Sequence, residues 1–564
     1  MAPHCRAARY NRLILLEGAI MKSIIIFILM LGILMMSSCQ QEQPLDLPSS
    51  VTLTKEVLLD KIRGAWLGKA YGVTYGGPTE FRYMGKIIDG PIELEDDWIE
   101  RILTQDDIYV NMAFLETLAD SGMDASASAF ANNFAYAGFG LGHANCQARQ
   151  NLLAGIPPNL SGHPYYSAHA EDIDFQIEAD FIGLVCPGLP QSALDICDRV
   201  GHIMNYGDGY YGGVFVSAMY AAAFLTTDVK AVVDAGLAMI PEESGYAKIV
   251  RDVIKYHEQY PDDWKKTWHE IQKKYAHLDI CPWGVTGAHG SLKGQFNIEA
   301  SLNGAYIVLG MLYGDGDVEK SVDISTRAGQ DSDCNPSNLA GILGVMYGYN
   351  KLPESTKKPF ETYLDKKFSH TRFSIETASE KCVELALENI IANKGKVEGD
   401  NITIVAQPFK YEGPVEVAFP TLTASDGFWV TDNRIRWHGS WSEPEGRRKG
   451  RPANDGFSYS ETAGDYMEVD FPGTSIYVQG HIRYMHGILE VFVDGKSLGT
   501  RDMYQPKKWP WGHGQSSAVW ITGLEDGTHT LRIVVTGKKN TDSEGTKIGL
   551  GRIACYRGDI APLP

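Results

Sequence analysis

Positive charge is scarce in this chain of 564 residues: Lys+Arg 51 stand against Asp+Glu 70, a net charge of -19. A protein that tracks nucleic-acid phosphates needs a basic face, so no nucleic-acid partner is expected. Zinc-type spacing is also missing. The chain has 9 cysteines but no C-x-x-C pair and no Cys/His spacing that suggests zinc, so most of them read as small buried hydrophobes, although an exported chain could pair some. No sequence repeat relates the two halves. The apolar run from Ile24 to Met36 is too short and too one-sidedly flanked for a comfortable membrane span.

That run follows Met21-Lys22 and ends in Met36-Ser37-Ser38-Cys39, which reads as an export signal. It resembles a bacterial lipoprotein signal, in which Cys39 would be lipidated and become the new N-terminus. An ordinary cleaved signal or an uncleaved anchor is the alternative. Residues 1–39 are thus expected to be an over-extended start plus signal, and 40–52 a tether. The implied location is a bacterial membrane, on its periplasmic or surface side, outer membrane included.

From Lys55 to Asn393 the apolar period is helical. Leu58, Ile62, Ala65 and Trp66 share one face, and Gly64, Gly68 and Gly72 recur every fourth residue, a stripe that admits a close backbone neighbour. Prolines then punctuate a bridge at 396–424. Short alternating strands follow, among them Tyr466–Phe471, Ser475–Gln479, Leu489–Val493 and Thr530–Thr536, separated by Asp-Gly turns. The expected fold class is multidomain α + β: an all-α domain over 53–395 and an antiparallel β-sandwich over 425–564.

Two acidic pairs stand out. Gln105-Asp106-Asp107 opens one helix, and Asp331-Ser332-Asp333-Cys334 precedes Asn335-Pro336 at the start of another. Capping explains part of this, at about 0.3–1 kcal/mol each. Four carboxylates with no adjacent cation would repel one another unless a divalent ion neutralised them, and oxygen ligands favour Mg²⁺, Mn²⁺ or Ca²⁺ over zinc.

Together with Gly76-Gly77-Pro78-Thr79-Glu80 and Gly329-Gln330 ahead of Asp331, these segments resemble, in order and spacing, the motifs of the ADP-ribosylglycohydrolase family over roughly Lys55 to Tyr349. The resemblance implies an all-helical domain holding two Mg²⁺ ions and hydrolysing a glycosidic bond at an anomeric carbon. It implies Gln105, Asp106, Asp107, Asp331 and Asp333 as metal ligands, and Glu80 and Asp107 as catalytic carboxylates. Mn²⁺ is the alternative ion. Three departures matter. Lys69 stands where the family commonly has aspartate, Gln105 replaces a ligand threonine, and Cys334 replaces another. A thiol is a poor Mg²⁺ ligand, so the site of Asp106, Asp107 and Asp333 is expected intact, and that of Glu80, Asp331 and Asp333 weakened or altered.

Glu178 and Asp180, with Asn205, Tyr206 and Asp208 in a glycine- and tyrosine-dense loop, are candidate substrate-binding residues; a tightly packed turn is the competing reading. His143 and Asn145 are similarly placed. The C-terminal part resembles galactose-binding-like and carbohydrate-binding modules, with Trp509, Trp511, Trp520, Tyr484 and His513 as a candidate stacking face. Three functions follow: a Mg²⁺-dependent hydrolase of ADP-ribosyl or related N- or O-glycosides, a glycan-directed glycosidase on the same scaffold, or a non-catalytic sugar-binding lipoprotein.

Overall fold

The computed structural model describes residues 45–276, 280–287, 293, 298–442, 456–507 and 516–564. Cys39, the export signal, Trp509, Trp511 and His513 lie outside the described residues. No described helix is long and apolar enough to cross a membrane.

The helical body starts at α1 (Lys55–Gly76), whose N-cap Thr54 accepts the Val57 amide through its hydroxyl at 3.2 Å. Leu58, Ile62, Ala65 and Trp66 are buried, as the periodicity predicts. The glycine stripe faces the helix that carries the second acidic pair (Cys334–Tyr347). A Cβ on Gly64 would sit 2.5 Å from the Gly344 carbonyl oxygen, on Gly68 2.1 Å from that of Ala340, and on Gly72 2.2 Å from that of Pro336. Gly76 continues the series at 1.9 Å from the Ser332 oxygen. The two helices therefore touch backbone to backbone. The next turn, Gly77–Thr79, hands the chain to Glu80.

Between these lie α2 (Asp106–Ser121), α3 (His143–Leu153) and α4 (Asp208–Ala223); α5 is the glycine-partnered helix Cys334–Tyr347, and α6 (Ile375–Ala392) closes the body. The end of the segment expected as a tether is ordered. Strand β1 (Ser50–Thr54) pairs antiparallel with β3 (Asn401–Val405), which also pairs with β2 (Lys396–Glu398). The chain entering the helical body is thus stitched to the chain leaving it.

Among the described residues ten strands follow: β4 (Thr423–Phe428), β5 (Arg436–His438), β6 (Ser458–Ser460), β7 (Tyr466–Gly473), β8 (Ser475–His481), β9 (Ile488–Val493), β10 (Lys496–Asp502), β11 (Ser516–Ile521), β12 (Gly527–Val535) and β13 (Ile548–Arg557). They form two antiparallel sheets, ordered β10-β9-β12-β7-β5 and β11-β8-β13-β4, with β6 added against β13. Alternate side chains of both, including Val469, Val478, Val491, Ile533 and Ile553, share one apolar core. The Asp494-Gly495 turn has positive φ at both residues (50° and 78°), as a tight hairpin turn requires.

The sheets lie against the helical body. Arg552 of β13 sits between two indoles, its guanidinium carbon 4.6 Å from the Trp283 ring and 4.5 Å from that of Trp429, and donates to Gln479 and Thr286. Trp520 is half-buried and donates to the Pro164 carbonyl at 2.8 Å, so it serves this seam rather than an open stacking face. Ala168, Val285, Tyr477 and Ala554 form one apolar cluster across the two parts.

Adding a methyl at Gly68 forces the two backbones apart. Gly68→Ala is expected to lower stability by about 3 kcal/mol, read as a lower denaturation midpoint. Gly90→Ala, where nothing lies within 4 Å, should change little.

Candidate active site

Three chain reversals bring the acids together. The end of α1 presents Glu80. The start of α2 presents Gln105 at the N-cap, then Asp106 and Asp107. The third is the Gly329-Gln330 turn, with φ of 78° and 60°, which aims Asp331, Ser332 and Asp333 inward before α5 begins. Glycine suits the first position, but glutamine in the left-handed region is strained and persists only where its surroundings hold it. Here its amide donates to the Tyr83 carbonyl at 3.3 Å. The Thr79 and Ser332 hydroxyls, 2.8 Å apart, pin the first reversal to the third.

The result is two groups sharing Asp333. In one, oxygens of Glu80, Asp331 and Asp333 lie within 4.8 Å of one another; in the other, Asp107, Asp333 and Cys334 do. Asp107, Asp331 and Asp333 are buried, Glu80 is half-buried, and Asp106 stays exposed and joins neither close group. Gln105 is half-exposed and its side chain makes no cap bond. The Cys334 thiol donates to Asp107 at 3.4 Å.

Burial first, then the neighbouring carboxylates, pushes Glu80 well above the ordinary carboxylate range. Asp331 rises for the same reasons, and Asp333 is pushed up to about 6. Burial raises Asp107 too, against the pull of the Lys69 cation. It also holds the Cys334 thiol well up, hence protonated. One oxygen each of Asp107, Asp331 and Asp333 is buried without a hydrogen bond. Clustered anions with orphaned oxygens fit a hard divalent cation. A protonated sulfur among them makes the Asp107 group the chemically altered one, whereas the sequence places the weakness in the Glu80 group.

Lys69 explains its own departure from the family pattern. It is wholly buried, donating to Asp180 and to the Ile177 carbonyl, each at 3.0 Å. Asp180 also accepts from the Tyr220 hydroxyl at 2.6 Å and from Asn338 at 3.1 Å. The structure thus gives Asp180 to the core as half of a fully bonded ion pair. Glu178 is buried and accepts from the Asn145 amide, while its other oxygen has no partner. Asn205 clamps a turn, donating to the Ala170 and Asp172 carbonyls at 2.9 and 2.7 Å and accepting from the Phe175 amide. Tyr206 is half-buried beside His163. Asp208, raised to about 6 by burial, accepts from the Gly245 and Tyr246 amides. Glu178 is therefore linked to the α3 start, whereas Asn205 and Asp208 fasten backbone.

Sequence reasoning passed over the wall beside the acids. Phe81, Met84, Ile173, Ile177, Cys281, Trp283 and Ile298 pack with Cys334 as one apolar cluster. The Cys281-Pro282-Trp283-Gly284 loop was the available signal.

Asp331 and Asp333 hold protons more tightly folded than unfolded. Without metal, stability must therefore fall as pH rises from about 4, the unfolded value, through about 6, where Asp333 ionises in the folded chain. Urea midpoints in EDTA should accordingly be lower at about pH 8 than at about pH 5, with Asp333→Asn flattening the fall. A divalent cation that binds these acids in the folded chain should, at a hundred times its Kd, restore about 2.7 kcal/mol at the higher pH.

Among solved structures, an "ADP-ribosylglycohydrolase-related protein complex" is 14% identical, covers 59% of this chain and 99% of its own, and has a TM-score of 0.39. A family two carbohydrate esterase from Cellvibrio japonicus is 12% identical over 26% of this chain and 36% of its own, TM-score 0.18. A two-domain esterase active on acetylated mannans is 12% identical over 33% and 48%, TM-score 0.19. No curated protein matches. The ADP-ribosylglycohydrolase family profile matches residues 54–386, three-fifths of the chain and all of its acidic centre, and the chain belongs to that family.

Proposed function

We propose that this protein hydrolyses a glycosidic bond of an ADP-ribosyl or related N- or O-glycoside with the help of divalent cations, Mg²⁺ foremost and Mn²⁺ as the alternative. The observation that carries the reading is the pair of carboxylate groups sharing Asp333, whose orphaned oxygens lie beside the half-buried Glu80. Glu80, Asp331 and Asp333 would hold one ion and Asp107 with Asp333 the other, with Gln105 and Asp106 at the rim. Bound there, the ions supply Lewis acidity toward substrate oxygens and water.

Glu80 has the properties of a general base. Burial and the neighbouring carboxylates raise its carboxyl, which makes the carboxylate a stronger acceptor for a proton from an attacking water, to be returned to the leaving group. Developing positive charge on the sugar ring would face Asp107 and Asp331, which stabilise an oxocarbenium-like transition state. The apolar wall of Phe81, Met84 and Trp283 excludes water and strengthens those charges.

A second reading, a glycan-directed glycosidase, is favoured by the β-sheets lying against this wall, with Tyr477 of β8 edge-on to His169 at 5.6 Å. A non-catalytic sugar-binding role is supported by the Cys334 replacement. Release of ADP-ribose from model conjugates, run beside aryl furanosides and pyranosides with Mg²⁺ or EDTA, separates the three. Metal-dependent ADP-ribose release is the expected result, release from sugar conjugates alone selects the second reading, and no turnover points to an untested substrate or the third reading, between which metal analysis decides. Glu80→Gln should lower kcat at least about a hundredfold with the fold intact by circular dichroism; unchanged turnover removes the base assignment.

The proposal extends to location, as a chain lipidated at Cys39 and held at a bacterial membrane. Cys39→Ala should then move the protein from the membrane fraction to the soluble one.

A further inference from the structure

We infer that His143, His169, Asp172 and Cys281 form a second metal site, distinct in chemistry from the acidic centre and suited to zinc. One ligand atom from each lies within 4.8 Å of the others, and all four residues are buried. The Asp172 Oδ2 is the hub. It lies 2.6 Å from His169 Nδ1, 3.5 Å from His143 Nδ1 and 3.5 Å from Cys281 Sγ, and the sulfur is 3.9 Å from His169 Nδ1. Tetrahedral zinc with bonds of about 2.0–2.3 Å has ligand-to-ligand edges of about 3.3–3.7 Å. Two of these separations fall in that range and a third is slightly longer. The shortest is a His–Asp hydrogen bond, and an ion entering there displaces its proton, and that of the thiol, to solvent.

The donor set points the same way. Two imidazoles, one carboxylate and one sulfur suit a borderline-soft ion and are wrong for Mg²⁺. Four protein ligands with almost no exposure describe a closed structural site.

The ligands are also held from behind. Asn205 grips the carbonyls of Ala170 and Asp172, and the Ser167 hydroxyl accepts the His169 amide at 3.2 Å. The Glu299 carboxylate accepts the Ile280 amide at 2.9 Å, beside Cys281. Trp283 packs on the His143 ring at 4.5 Å between centroids, and His143 adopts a left-handed φ of 45° at the start of α3. Such second-layer support is what ordered metal ligands require. The ion would tie together α3, the 169–172 turn and the Cys281 loop, which form the wall beside the acids.

The test uses the full chain with its zinc replaced by Co²⁺, because a cobalt–thiolate bond gives a charge-transfer absorption that an oxygen site lacks. The wild type should bind about one equivalent with that band. Cys281→Ser should lose the band and weaken binding at least tenfold, while Cys334→Ser, at the acidic centre, should keep both. A wild type with no thiolate band, or a band that follows Cys334 instead, overturns the site. If Cys281→Ser does not fold, the Cys334→Ser protein decides alone: a retained band supports the site and its loss refutes it. Because the readout is spectroscopic, it stands whether or not the proposed hydrolase activity is found.

Discussion

Direct backbone contact between α1 and α5 is the constraint on which the rest depends. Four glycines on α1, one per turn, remove every side chain that would hold the helices at the usual 8–10 Å spacing. Because the register runs from Gly64 against Gly344 to Gly76 against Ser332, it fixes where both helices end on the acidic side. Glu80 comes from one end and Asp331 and Asp333 from the other. Any slip of a single turn along this contact would carry Glu80 about 5.4 Å from its partners.

Placing several carboxylates in one poorly solvated space costs stability, and the chain offsets the cost in two ways. One is the Lys69–Asp180 pair, a charge couple sunk entirely in the core with its remaining acceptors bonded to Tyr220 and Asn338. Its cation also reaches Asp107 electrostatically. The other is hydrogen bonding to the acids, as from the Cys334 thiol to Asp107 at 3.4 Å. A buried ion pair is weak evidence for stability by itself; here its value is to hold α1 in register beside the acids.

Much of this was legible in the residues. The glycine stripe announced a close neighbour, Pro336 marked a helix start, and alternating strands such as Tyr466–Phe471 were found to within two residues of Tyr466–Gly473. Local signals suffice for such features because turn chemistry and periodicity act over a few residues. Long-range pairings were not legible. The tether end joins β3 across about 350 residues, as in the Thr52–Thr403 contact, and nothing in either segment names the other. Asp180 read as a pocket acid because Asp174 and Glu178 lie close to it near a Gly- and Pro-rich stretch, whereas its partner lies on α1. The His143, His169, Asp172 and Cys281 group escaped notice for the same reason: its members are scattered, so no spacing rule applies to them.

The seam at Arg552 has a consequence for reach. In enzymes whose accessory module hangs on a linker, the module raises local concentration by an amount that depends on linker length and averages over many orientations. Here the guanidinium is clamped between Trp283 of one part and Trp429 of the other, and no such averaging is available. The sheets are held at one distance and one angle from the acids. The spacing between the sheets and Glu80 is thereby written into side-chain packing, as the length of a ruler is.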